Sequence, residues 1–230
     1  TNKIKNQLII HSLTLLMKPL KYPSTPHLPF SPSIQSDDIV LSQDLSHFVG
    51  CEVVITEKMD GGNCQFFQGQ VFARTVKKPA THDSFSVAKG LNATLQYLVP
   101  PHIALYTENM QGIHSIEYSK LSSYLYLFSA LDHSNKQFLS FDDLQELSKE
   151  AEIPLVPVLY EGTFKSESEI KKWMTNRVSQ SSTLGDNIEG FVIRHRGAIP
   201  YDQFEKHIAK FVRPNHIQTT KDWLKTWKQA

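Results

Sequence analysis

Apolar and polar positions group along this chain into short runs, without long periodic stretches. Seven runs rich in β-branched and aromatic residues, at 52–56, 64–67, 103–107, 124–131, 155–160, 190–195 and 207–212, predict strands. Between them lie helical candidates at 85–98, 140–151, 166–178 and 219–228. The second of these places Ser140 at the N-cap, where a hydroxyl can accept from an unpaired backbone N–H, and Asp143 in the first turn. Strands and helices do not alternate regularly enough for a doubly wound parallel sheet. The expectation is an α+β fold, antiparallel sheets packed by a few helices.

Five prolines fall within residues 19–32. Proline fixes φ and carries no N–H, so this stretch predicts an extended arm without helix or sheet hydrogen bonding. Residues 1–16 read as a leader or loosely attached remnant, with Met17 as the start and 17–230 as a single domain. The first 36 residues hold four lysines and no acid, as an organelle-targeting segment would, but they lack arginine and their apolar run is broken by His11, Ser12 and Thr14. That run is also well short of the roughly 18 residues a membrane span needs.

With 230 residues, 40% of them hydrophobic and 20% charged, the chain can bury a core without a disulfide or metal staple. Its two cysteines, Cys51 and Cys64, make no disulfide framework and favour a reducing compartment, cytosol or nucleus. His27, His114, His195 and His216 match no zinc spacing, and none is assigned a metal. A net charge of +1 excludes global attraction to a polyanion. From Arg194 onward, however, eight basic residues stand against three acidic ones, so a local basic patch is available. The stretch 142–169, with eight acids and two lysines, reads as a solvated face.

The chemistry begins at Glu57-Lys58-Met59-Asp60-Gly61-Gly62-Asn63, where an apolar strand runs into a glycine turn. Such a strand end fixes an amine at the sheet rim while glycines let a phosphate approach the backbone. Alone, a hairpin turn with solvated charges explains it as well. Five further motifs follow in order: Ala73-Arg74-Thr75, Tyr106-Thr107-Glu108-Asn109, Leu125-Tyr126-Leu127-Phe128, Glu189-Gly190-Phe191-Val192-Ile193-Arg194 and Ala209-Lys210-Phe211-Val212. The ordered set resembles the covalent nucleotidyltransferases, the superfamily of polynucleotide ligases and capping enzymes, and specifically the ATP-dependent RNA ligases. Residues 21–29 and 210–220 are also similar to the ends of a small RNA-ligase-like family.

The resemblance implies a nucleotidyltransferase fold and a role for each motif. Lys58 is the lysine that becomes adenylylated, and Lys210 contacts the α-phosphate. Arg74 faces the ribose and an incoming 5′-phosphate, Glu108 hydrogen-bonds a ribose hydroxyl, and Phe128 stacks on adenine. Glu189 and Asp60 hold Mg2+ (or Mn2+) as outer-shell ligands, while Glu57, Asn63 and Arg213 complete the nucleotide site. Asn63 is similar to the asparagine of the nick-sealing RNA ligases. In the last motif the family often has two lysines one residue apart, whereas here Lys210 is followed by Phe211, Val212 and then Arg213. Only 17 residues follow Arg213, which leads us to expect no appended oligonucleotide-binding barrel and disfavours a DNA ligase or capping role.

Attack on the α-phosphorus needs a neutral amine. Lys210, Arg74 and a metal ion would lower the pKa of Lys58, while Glu57 and Asp60 would raise it. The function the resemblance implies is ATP-dependent joining of RNA 5′-phosphate and 3′-hydroxyl ends through lysyl-AMP and adenylylated RNA, by a monomer or with a partner domain for end joining. Two alternatives stay open: an adenylylating enzyme acting on DNA nicks or another acceptor, and an RNA-binding module without activity.

Overall fold

The structure, a computed structural model, describes residues 17–36, 38–41, 45–214, 216 and 228–230. The leader at 1–16, and the helix expected over 219–228 save its last residue, lie outside them.

The described strands form two antiparallel sheets, as an α+β fold requires. In the four-stranded sheet, β1 (Glu52–Lys58) lies between β7 (Val158–Thr163) and β8 (Gly190–His195), and β10 (Ile208–Val212) closes the far edge. The six-stranded sheet runs β3 (Gln70–Ala73), β2 (Gly62–Phe67), β4 (Ile103–Asn109), β5 (Leu125–Asp132), β6 (Gln137–Phe138) and β9 (Ile199–Pro200). Gln68 and Gly69 turn β2 into β3 with φ of 49° and 71°, the double left-handed conformation of a two-residue hairpin. Among the described residues, no helix is long and apolar enough to cross a membrane.

Helices α1 (Ser86–Leu98) and α2 (Phe141–Glu150) cover one face of the larger sheet, burying Ala88, Leu95, Leu144 and Leu147 with Cys64, Phe66, Leu105 and Leu127. Helix α3 (Glu167–Arg177) covers the smaller sheet, where Ile170 and Met174 pack with Val53, Ile55 and Phe191. The expected N-cap is made, Ser140 Oγ accepting from Asp143 N at 3.1 Å, and Ser166 Oγ caps the next helix by accepting from Glu169 N at 3.3 Å. The other faces of the two sheets meet each other. Val192 of β8 and Ile208 of β10 pack there with Tyr106, Leu131 and Phe138 of the larger sheet.

The proline-rich arm departs from expectation. It is bound into the fold by backbone hydrogen bonds on both sides of His27. Lys210 N donates to Pro26 O at 2.8 Å, and Leu28 N to Lys210 O at 2.8 Å, so the arm runs parallel to β10 for one bridge. On the other side His27 N donates to Ile39 O at 2.7 Å and Leu41 N to His27 O at 2.8 Å. The physical reason is the spacing of Pro23, Pro26, Pro29 and Pro32, which leaves the intervening N–H groups free to pair.

Candidate active site

Side chains alternate along a strand, so Val54, Thr56 and Lys58 share one face of β1 while Val53, Ile55 and Glu57 share the other. The register pairs Thr56 and Lys210 with Val192, and Lys58 with Gly190. Lys58 and Lys210 therefore project from the same face, the one turned to the larger sheet. Gly190 permits this closure. A Cβ there would fall on the carbonyl oxygen of Phe211 and 3.0 Å from Val212 Cα. On the larger sheet, Asn63 pairs with Glu108 and Glu108 with Tyr126. Between the pairs Tyr106/Ser129 and Thr107/Leu127, β5 carries one residue more than β4, and that residue is Phe128. The bulge turns its ring among Tyr106, Val192 and Tyr22, whose ring meets it edge-on at 5.0 Å.

Beyond the end of β1, Lys58 Nζ lies 2.7 Å from Glu189 Oε1. Glu108 Oε1 accepts from Gly61 N at 3.2 Å, which fixes the turn after the lysine. Asp60 Oδ2 is committed to the loop after β4, accepting from Ser115 N at 2.8 Å, Ser115 Oγ at 2.5 Å and Ile116 N at 2.8 Å. Its Oδ1 faces His216 Nε2 at 4.0 Å, and the same nitrogen lies 3.3 Å from Glu189 Oε1. Asp60, Glu189 and His216 thus bring one donor atom each within 4.8 Å of one another. Glu189 Oε2 is buried with no hydrogen-bond partner among the described residues. Two carboxylates, an imidazole and an unsatisfied buried oxygen fit a divalent cation.

His216 stands beside the two carboxylates expected to hold a metal, although the sequence reading gave no histidine such a place. Zinc-type spacing registers only ligands close in the chain, whereas these three donors come from the ends of β1 and β10 and the residue before β8. The role expected of Asp60 is also narrower, since only one of its oxygens remains for a cation.

Burial pushes the Glu108 carboxyl up to about 8 and that of Glu189 to about 7, with Lys58 opposing both shifts. For Lys58 itself, burial works against the charge, but Glu189, Glu108 and Asp60 outweigh it and raise the pKa. The resting lysine therefore holds its proton. Glu57 lies apart from this cluster: it points to the opposite face, where its carboxylate accepts from Ser182 Oγ at 2.6 Å and Thr183 N at 3.4 Å. The residues that hold the charge on Lys58 are thus Glu189 and Glu108 with Asp60.

Arg213 and Lys210 lie beside this cluster, and Arg74 at the edge of the larger sheet. Arg213 N donates to Glu189 O at 3.0 Å, and its buried Nε finds no acceptor among the described residues. Arg74 follows β3 at the sheet edge and donates through Nη2 to Ser24 Oγ of the arm at 3.3 Å. Lys210 Nζ lies 3.3 Å from Asp38 Oδ1. Asp38, Ser115 and His216 are the neighbours that sequence reasoning missed. The only signal was the resemblance of residues 21–29 and 210–220 to family ends, which marked the two terminal segments without naming these side chains.

The fold is shared with solved ligases. An RNA ligase of Naegleria gruberi with PPi matches at 18% identity over 86% of this chain and 61% of that one, with a TM-score of 0.55. A mutant of the same enzyme with ATP and Mn matches at 17% identity over 91% and 64%, TM-score 0.57. An archaeal ATP-dependent RNA ligase matches at 14% identity over 84% and 48%, TM-score 0.55. The chain thus spans less than two thirds of the length of these structures. Among curated proteins none matches. The model of the RNA ligase family matches residues 51–212, from the start of β1 to the end of β10, and the chain belongs to that family.

Proposed function

We propose that this chain catalyses ATP-dependent joining of RNA ends, with Lys58 as the nucleophile. In the first step Lys58 Nζ bonds to the α-phosphorus of ATP, the bond from that phosphorus to the β-bridging oxygen breaks, pyrophosphate leaves and the amine loses its proton. AMP then passes to an RNA 5′-phosphate, and a 3′-hydroxyl displaces it to form the phosphodiester. The observation that carries this reading is the cluster of Lys58, Glu189, Glu108 and Asp60 where residues of the two sheets meet.

Each residue has a physical task in this reading. Lys210 adds fixed positive charge beside the lysine, which stabilises charge developing on the phosphate oxygens without reorganisation. Phe128 offers a ring to the purine, while Glu108 and Asn63 stand opposite each other on the facing sheet to orient the ribose. Arg213, with its unsatisfied Nε, and Arg74 are cations for phosphates of the nucleotide or the RNA end. Asp60, Glu189 and His216 would hold the divalent cation, Mg2+ or Mn2+. Bound there, such a cation supplies charge that favours a neutral lysine and offsets that of the triphosphate. The N. gruberi structure with ATP and Mn supports this cofactor pair.

Incubation with ATP labelled at the α-phosphate, and Mg2+, is expected to leave label on the wild-type chain and none on Lys58→Ala. Label that survives in Lys58→Ala refutes the reading. Nicked RNA and DNA duplexes carrying 5′-phosphate and 3′-hydroxyl ends, offered side by side, identify the acceptor.

A further inference from the structure

Among the described residues, the Lys210 amine takes its ion-pair partner from outside its own sheet. That amine contacts Asp38 Oδ1 at 3.3 Å, and Asp38 belongs to the segment that follows the proline-rich arm. The other oxygen of Asp38 accepts from Gln35 N at 3.0 Å and lies 3.1 Å from Nε2 of His27. His27 is wholly buried. Its Nδ1 is 3.0 Å from Ser31 Oγ, and that hydroxyl oxygen accepts from Val212 N at 3.0 Å. One proton arrangement fits the hydrogen-bonded part of the series, while Nε2 meets Asp38 at ion-pair distance without hydrogen-bond geometry. Val212 N–H donates to Ser31, the Ser31 hydroxyl donates to Nδ1, and Nε2 carries the proton that faces Asp38. A neutral His27 is what burial and the nearby Lys210 enforce, holding its pKa down to about 4. The series starts and ends on β10, at Val212 and Lys210, and every link between is supplied by residues 27–38.

Resting on the reading of Lys58 above, we propose that Asp38 is a positioning residue for Lys210, and that His27 and Ser31 make the arm a working part of the reaction site. Lys210 is faced by Asp38 and His27 from the arm, by Lys58 from β1 and by Glu189 from the approach to β8. Of the two carboxylates, Asp38 is the one in contact with its amine. Holding Lys210 by one of its N–H groups leaves the others for the triphosphate and keeps the amine from swinging onto Glu189, which Lys58 already occupies.

The test is single-turnover self-adenylylation by the full chain with α-labelled ATP, measured for Asp38→Asn, Asp38→Glu, Lys210→Ala and the Asp38→Asn/Lys210→Ala double variant. The Asn variant keeps the shape of the side chain and guards against misfolding. Asp38→Asn is expected to slow the rate at saturating ATP about tenfold or more, with half-saturation changed less, and Asp38→Glu to recover part of the loss. The double variant is expected to stay within about twofold of Lys210→Ala alone, because both changes remove one function. A double variant that loses the product of the two effects shows Asp38 acting independently and overturns the proposal. So does Asp38→Asn within about twofold of a labelled wild type. A wild-type chain that takes no label instead overturns the reading of Lys58, and this proposal with it.

Discussion

Replacing Gly190 with alanine probes the closest backbone approach in the site. The new methyl would fall on the Phe211 carbonyl oxygen, with Phe211 C at 2.9 Å and Val212 Cα at 3.0 Å, all backbone atoms that cannot swing aside. Strands β8 and β10 must then part where Gly190 faces Val212. Forced overpacking costs about 1–3 kcal/mol, and weakening one or two ladder hydrogen bonds, with that from Arg213 N to Glu189 O beside them, adds about 1 kcal/mol each. A loss of ~3 kcal/mol is thus expected from a domain whose total stability is of order 10 kcal/mol. The variant folds, but its urea midpoint falls by about 1 M for a slope near 3 kcal/mol/M. Gly90→Ala is the counter-case. A Cβ at this position of α1 meets nothing within 4 Å, so the only change is in helix propensity, and stability should rise by about 0.5–1 kcal/mol. Equilibrium urea unfolding followed by circular dichroism reads both. A Gly190→Ala midpoint within about 0.2 M of wild type, or a Gly90→Ala loss of similar size, would refute the argument from backbone contact.

Two further outcomes follow from the same site. Glu108 titrates near 8 in the folded chain against 4.5 unfolded, so the folded state binds more protons between these values and stability falls as pH rises through them. Glu108→Gln should accordingly stabilise the metal-free chain by ~2 kcal/mol at pH 9 and have little effect at pH 4, and equal melting shifts at both would contradict this. If His216 is a third donor, His216→Ala should weaken Mn2+ binding about tenfold or more, read by the electron-spin signal of free Mn2+ without nucleotide, and unchanged affinity removes it from the set.

Most of the architecture was legible because its signals are local. β1, β4 and β8 are dense in β-branched and aromatic residues, and Ser140 and Ser166 cap their helices through contacts three residues long. β3 was not legible because its hairpin turns on Gln68-Gly69, a weaker left-handed pair than Asn-Gly, and β6 and β9 are two residues each. In the site, Lys58, Glu108, Glu189 and Lys210 come with motifs of adjacent residues. Glu57 shares the first motif, but strand alternation sends it to the other face. The attachment of Asp38 to Lys210, and of His216 to Glu189, joins positions remote in the chain, and no spacing rule reports such contacts.

The extra residue in β5 sets how this part of the fold can change over generations. Point substitution at position 128 can exchange the ring for another side chain without moving it. Relocating it takes a deletion, and losing one residue there would invert the facing of one flank of β5 relative to its neighbours. The reading frame of the strand, more than the identity of its side chains, therefore guards the placement of this ring, and length changes at this point should be purged before replacements are.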